Sequence, residues 1–354
     1  MKTKLKHSNL VLPLIFLLFI VSGCDQEDLT SVEQFGAVSS AMKLPSSNII
    51  QDIYNSCLRR KDIEYQESVV TLNPDNAFQP VKVRKDCDKF IPVRETINQL
   101  NIVLFDYVES LGKLASGKTV DFNQNLQILG NSFGDFTTDL AKAGIAISLK
   151  PEQIQQGTYI VNSLLQLKSQ QFRRDQIKQV LICTDDPYFQ DYTLLLMESI
   201  QQTYISGNLR LEENSINTYF DSAYRELNRS QNDAAKLVAE VAILTNNYKE
   251  QIKDVDQRRD TAIAYLQLLE KTKKTHQALA NLFKGSMNPK EKITFCENYF
   301  PANNKQAEKI QFDSRVIPHI PPNQNEREFK EAQQILKDYS QEIQPILKRI
   351  NQQL

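Results

Sequence analysis

Few side chains in this sequence carry obvious chemistry. The stretch "CTDDPYF", Cys183 to Phe189, sets Asp185 and Asp186 beside a cysteine, an acidic pair of the kind that can ligate a divalent cation. The same acids suit a helix N-terminus, where the backbone dipole favours negative charge. With Thr184 or Asp185 as cap and Pro187 in the first turn, the spacing predicts a helix start there. His276 in "KKTHQAL" and His319 in "VIPHIPP" are the only imidazoles beyond residue 7. The first sits at a helical position and the second in a loop, and a partly buried or surface role explains each better than catalysis. Cys57, Cys87, Cys183 and Cys296 contain no Cys-x-x-Cys spacing, which argues against zinc. There is no G-x-S-x-G elbow, H-E-x-x-H helix, phosphate loop or EF-hand pattern. No catalytic residue, cofactor or metal site is assigned, and the expectation is a protein that is not an enzyme.

A fifth cysteine stands in a different setting. Lys2, Lys4 and Lys6 precede an apolar run, Leu10 to Val21, of only twelve residues. That is too short to cross about 30 Å of hydrocarbon, and the pattern is that of a secretory signal removed from the working protein. "VSGC", Val21 to Cys24, resembles the lipobox of bacterial lipoproteins. The resemblance implies cleavage after Gly23, a diacylglycerol thioether on Cys24 and a further acyl chain such as palmitate on the new amino group. Two or more chains hold a soluble body firmly on a membrane, whereas one does so only marginally. An ordinary secretory signal with a chance cysteine, or an uncleaved anchor, is the alternative. Asp25 directly after the cysteine implies, on the enteric rule, the periplasmic face of the inner membrane, with the outer membrane or cell surface left open.

Removing residues 1–23 takes away three lysines and no acid, so the formal charge moves from −1 to −4. A nucleic-acid footprint would need a basic excess, so no nucleic-acid partner is expected. In an oxidising compartment the four remaining cysteines have the even number that two disulfides require. Of three possible connectivities, Cys57–Cys87 and Cys183–Cys296 are favoured: the first closes a short proline-containing excursion, the second ties a helix end to a long loop. Four reduced, buried thiols are the alternative.

The elements that must position these groups read as helices throughout. Ten glycines in 354 residues, no tryptophan and long proline-free stretches favour solvated helices. The expected fold is all-α: an elongated bundle of long antiparallel helices, with a small hairpin or loop excursion near 66–90. Beyond the signal at 1–23, residues 24–45 read as a polar tether or short helix and 46–354 as one elongated helical domain. Ile97, Leu100, Leu104, Val108 and Leu111 share one face of a helix over 91–115. Looser helices are expected over 120–146 and 151–180, and another from the Pro187 break to about 205. Between Asn208 and Lys284 there is neither proline nor glycine, and Ile216, Phe220, Ala223, Leu227, Ser230, Ala234, Leu237, Val241, Leu244 and Tyr248 recur at alternating steps of four and three. This heptad seam predicts one helix of about 115 Å, or two with a break at Thr245–Asn247. Residues 286–324 read as a proline-containing, mostly irregular strap, and 326–350 as a closing helix carrying Pro345.

On these grounds the chain is expected to be a lipid-anchored, non-enzymatic helical binding or scaffold module. It would touch the membrane through Cys24 and a protein or envelope partner through its helices, with an immunity or inhibitor protein as the narrower version. No small-molecule substrate is evident. The alternative is an envelope enzyme or small-ligand protein whose pocket gathers Asp185, Asp186, Tyr188 and Tyr192.

Overall fold

Pro45 lies inside a helix in the computed structural model, which describes residues 30–70, 85–115, 138–145, 160, 173–230, 233–299 and 322–353. Helix α1 runs Thr30–Val70 without interruption. The boundary expected at residue 45 is therefore absent. Proline removes one helical hydrogen bond, here the one to the carbonyl of residue 41, and crowds the preceding turn, while the Ser46 beside it bonds back to other carbonyls. Its hydroxyl lies 2.7 Å from the carbonyl of Met42 and 3.0 Å from that of Lys43. Packing supplies the compensation: Val32, Phe35, Met42, Ile49, Ile53 and Cys57 are all buried along one side. The helix also continues through Val69 and Val70, so residues 66–70 are not part of the hairpin or loop expected near 66–90; residues 71–84 lie outside the described residues.

Helix α2, Phe90–Ala115, matches its sequence pattern, with all five predicted face residues buried. It packs along α1, and the two backbones touch at Gly36 and Gly112. A Cβ on Gly36 would sit 2.6 Å from the Cα of Gly112, and one on Gly112 2.7 Å from the Cα of Gly36. No rotamer change relieves a contact between backbones, so Gly112→Ala is expected to destabilise by about 1–3 kcal/mol, against a helix-propensity gain of up to about 1 kcal/mol. A chemical-denaturation midpoint that rises in Gly112→Ala would contradict the close approach.

Helix α3 spans Arg173–Thr184. Of the two looser helices expected before it, residues 138–142 are helical and Gly144, at φ 78°, follows them, while 116–137 and 146–159 lie outside the described residues. The chain then kinks at Asp186, whose backbone is extended (φ −113°, ψ 124°), as residues before proline prefer. The break expected here is present, but neither Thr184 nor Asp185 caps the next helix. Helix α4, Gln190–Ile200, passes into a wide π-helical segment, Gln201–Leu209, and on into α5, Arg210–Ser230. Gly207 does not stop the helix. A Cβ there would lie 2.7 Å from the carbonyl of Gln202, five residues back, so the glycine serves the wide turn.

The 208–284 stretch is not one helix, and its break is not at Thr245–Asn247. Helix α6 runs Ala234–Lys284 straight through Thr245–Asn247, and the break falls before Asp233, whose carboxylate caps α6 by accepting from the amides of Ala235 (2.9 Å) and Lys236 (3.3 Å). Nor is the 286–324 strap irregular throughout: α7 occupies Pro289–Tyr299. Asn288 and Glu291 cap it reciprocally, Asn288 Oδ1 accepting from Glu291 N at 3.0 Å and Glu291 Oε2 from Asn288 N at 2.8 Å, with Pro289 at the first position. Helix α8, Pro322–Gln353, contains Pro345 and buries Ala332, Leu336, Tyr339, Ile343, Ile346 and Ile350 at alternating steps of four and three. The described residues contain no strand, and the architecture is an all-α bundle. In it α1 packs on α2, α5 and α8, while α6 packs on α8, α5, α3 and α4. Disulfides join Cys57 to Cys87 and Cys183 to Cys296, the favoured pairing.

Candidate interaction surface and the buried polar networks behind it

Two polar clusters that no local pattern announces lie inside this bundle. The first gathers around His276, which is fully buried. Its ring stacks on Phe189, with centroids 3.9 Å apart and planes at 16°. Nδ1 lies 3.0 Å from Asp185 Oδ1, and Nε2 lies 2.8 Å from the hydroxyl of Tyr107. Tyr107 in turn stands 2.6 Å from Thr184 Oγ1, itself 2.6 Å from the carbonyl of Val180. Asp185 also accepts from Gln190 Nε2 at 2.7 Å. With a neutral ring, Nδ1–H donates to Asp185 and Nε2 accepts from Tyr107. The cluster clamps α2, the α3–α4 kink and α6 together. His276 and Tyr107 have no exposed surface, so the pair has no face toward a substrate, which a general base needs.

The burial has a pH consequence. Desolvation pushes His276 below its usual value, and Asp185 only partly offsets this. Hydrogen bonds from His276 and Gln190 outweigh burial at Asp185 and hold its carboxyl below the usual range. The unfolded chain therefore takes a proton on histidine more readily than the folded one. The stability linked to neutral His276 is complete above about pH 6.5 and is lost as pH falls from there toward the lowered folded value. Asp185 contributes a separate loss below about pH 3.9. Melting temperature is expected to fall below pH 6.5 in the wild type and to be flatter over that window in His276→Gln. Parallel profiles would refute this assignment.

The second cluster sits where α1, α5, α6 and the π segment meet. Glu212, 2% exposed, receives Arg258 in a two-pronged contact, Nη1 to Oε2 at 2.9 Å and Nη2 to Oε1 at 2.8 Å. Arg59 Nε donates to Oε1 at 2.9 Å and Ser56 Oγ to Oε2 at 2.6 Å. Asp52 Oδ2 accepts from Arg59 (2.7 Å), Arg258 (3.3 Å) and the Tyr204 hydroxyl (2.5 Å). Two carboxylates thus face two guanidiniums. Burial works to lower Arg258, yet Glu212 and Asp52 raise it well above its usual value, and burial beside Asp52 raises Tyr204. The mixed charges of "DQRRD" and "LRRKD" suit solvated helix faces with i,i+4 pairing. The i,i+4 pair Arg258–Asp254 is indeed present at 2.8 Å, but Arg258 and Arg59 mainly serve this inward network.

Beyond that junction the α5–α6 hairpin leaves the bundle. No residue is buried over 221–230 or 233–254. The heptad seam therefore folds back and packs against itself: Phe220 meets Tyr248 edge-on at 5.4 Å, Tyr224 hydroxyl meets Thr245 Oγ1 at 2.7 Å, and Tyr248 donates to Asn217 at 3.0 Å. A cleft of about 440 Å³ lies between the two helices, lined by Asn217, Thr218, Phe220, Asp221, Tyr224 and Tyr248. On the outside of the arm Val238 is 70% and Ile243 61% exposed. Phe35 packs on Tyr339, whose hydroxyl lies 2.8 Å from Thr272, so the N-terminal end of α1 is level with Thr272 of α6. Ala234 at the arm tip is then about 57 Å along α6 from that level, at 1.5 Å per residue.

The other residues singled out by sequence do not converge. Asp185 is committed to His276, Asp186 is exposed, and Tyr192 is buried with its hydroxyl donating to Leu100 O at 3.0 Å. Among the described residues no three His, Cys, Asp or Glu gather as a metal site, and no helix is long and apolar enough to cross a membrane. Residues 1–29, with Gly23 and Cys24, and His319 lie outside the described residues. No protein-family model, curated protein or solved structure matches this chain.

Proposed function

We propose that this chain is a lipid-anchored protein of the bacterial envelope that acts by binding, without catalysis, and that the α5–α6 arm is its docking surface. The observation that carries the reading is the arm itself, a helical pair with exposed Val238 and Ile243 standing outside the core. Exposed apolar side chains grouped on one projection mark an interaction site more often than chance surface. The lipobox-like "VSGC" supports the anchor, and the arm tip lies at the far end of α6 from the start of α1, so an anchor at Cys24 leaves the arm directed away from the membrane. The ion-pair junction at its base fixes its direction.

A photo-crosslinking residue placed at Val238 in living cells tests this, with exposed Lys337 of α8 as the control position. Adducts from position 238 and not from 337 are expected. No adduct from 238 under several growth conditions would overturn the docking role. Cys24→Ser is expected to move the protein to the soluble fraction; continued membrane partition with incorporated fatty acid would overturn the anchor.

A further inference from the structure

The arm portion of α6 is apolar on two opposite sides. At 100° per residue, Leu237, Val241, Leu244 and Tyr248 point toward α5, and Ala235, Val238, Ala239, Ala242 and Ile243 point nearly the opposite way. All five of the latter are exposed. A helix apolar all round is a helix with neighbours all round, yet among the described residues only α5 packs beside this one, on the seam side. The outer stripe also says what it fits. Its centre line is Ala235, Ala239 and Ala242, at steps of four and three, and small side chains let a second helix axis come to the near end of the usual 8–10 Å. An interfacial lipid-binding face would carry Trp, Phe or Leu there, and this one carries none.

From these features we infer that the outer face of the α6 arm packs, antiparallel, on the same face of a second copy of this chain. The proposal deepens the reading of the arm as a docking surface and rests on it. The stretch "LVAEVAIL", Leu237 to Leu244, reads nearly the same in both directions about the midpoint of Glu240 and Val241: Leu pairs with Leu, Val with Ile, Ala with Ala. A two-fold contact needs this self-complementarity, because each copy presents one patch to itself. About that axis Ala239 faces the second copy's Ala242 and Ala235 faces its Asn246, with Val238 and Ile243 closing the two flanks. The stripe is about two to three turns long, less than the roughly 800 Å² per partner of a standard stable interface. The contact is accordingly weak in solution, and its antiparallel sense sets the two arms head to tail.

The test uses the full chain carrying Cys24→Ser, which leaves only the four disulfide cysteines. Two differently tagged copies, one with Ala239→Cys and one with Ala242→Cys, are mixed and treated with a short bismaleimide, with exposed Asn228→Cys as control. A 239–242 product between the tags is expected, and none through position 228. In sedimentation equilibrium a concentration-dependent dimer is expected, with its dissociation constant raised at least tenfold by Val238→Glu together with Ile243→Glu at unchanged helix content. A chain that stays monomeric up to millimolar concentration and gives no 239–242 product overturns the second copy. If position 238 then crosslinks in cells to a different protein, the docking role survives that failure. If it crosslinks to nothing, both fall.

Discussion

Glu212→Ala is expected to cost about 3–5 kcal/mol of folding stability, the usual range when one partner of a buried ion pair is removed. The size follows from what remains. Arg258 and Arg59 would keep their place at the junction of α1, α5 and α6 while losing the carboxylate that accepts three guanidinium bonds and the Ser56 hydroxyl. Asp52 would be left alone against two cations. Removing both charges is milder than removing one: Glu212→Gln with Arg258→Met is expected to be less destabilised than Glu212→Ala, because Asp52 and Arg59 then remain as a balanced pair with no uncompensated charge buried. Urea denaturation of the two variants and of Arg258→Met checks this. The same series has a local readout, since the network is where the arm leaves the bundle. Limited proteolysis within 221–254 is expected to accelerate more in Glu212→Ala than the global stability loss accounts for. A loss below about 1 kcal/mol in Glu212→Ala would show that the network is not closed as described.

The Cys183–Cys296 bridge is expected to contribute about 4–5 kcal/mol, since it closes 113 residues and the unfolded-state entropy it removes grows with the logarithm of loop length. Cys57–Cys87, closing 30 residues, should contribute about 1 kcal/mol less. The longer bridge has a structural target as well. Helix α7 packs chiefly on α3, and its Ile293 is 57% exposed, so little apolar burial holds it apart from the bridge and the Lys292 Nζ contact with the Asp186 carbonyl at 3.1 Å. Cys183→Ser with Cys296→Ser should therefore lower the denaturation midpoint and raise amide exchange across 289–299 well before it does so in α2. Equal protection of α7 with and without the bridge would contradict this.

Where side-chain period and local capping decide, this sequence was legible. Helix α2 was visible because its buried positions recur every three or four residues, and the same holds for α8. The disulfide pairing was also within reach, since one pair flanks a short proline-containing stretch and the other begins at a helix end. Local rules misled where packing outweighs them: Pro45 and Gly207 are helix breakers by propensity, yet the buried face of α1 holds one, and a π turn makes room for the other. Asp233 was a missed signal, an N-cap residue followed by a run of helix formers. It lost to the unbroken seam, because a heptad pattern is the same whether a helix runs on or folds back upon itself.

The all-α class, the helix faces, the cysteine pairs and the lipobox-like N-terminus belonged to the sequence alone, because each depends on residues that are neighbours along a chain or on one face of a helix. Only the tertiary structure could bring His276 to Asp185, 91 residues away, or Arg258 to Glu212 and Asp52, 46 and 206 residues away. A charged or imidazole side chain at a helical position looks the same from the sequence whether it meets water or a buried partner. Desolvation and its compensation are properties of the packed interior, and so is the fold-back that leaves every seam position from Ala223 to Tyr248 short of full burial.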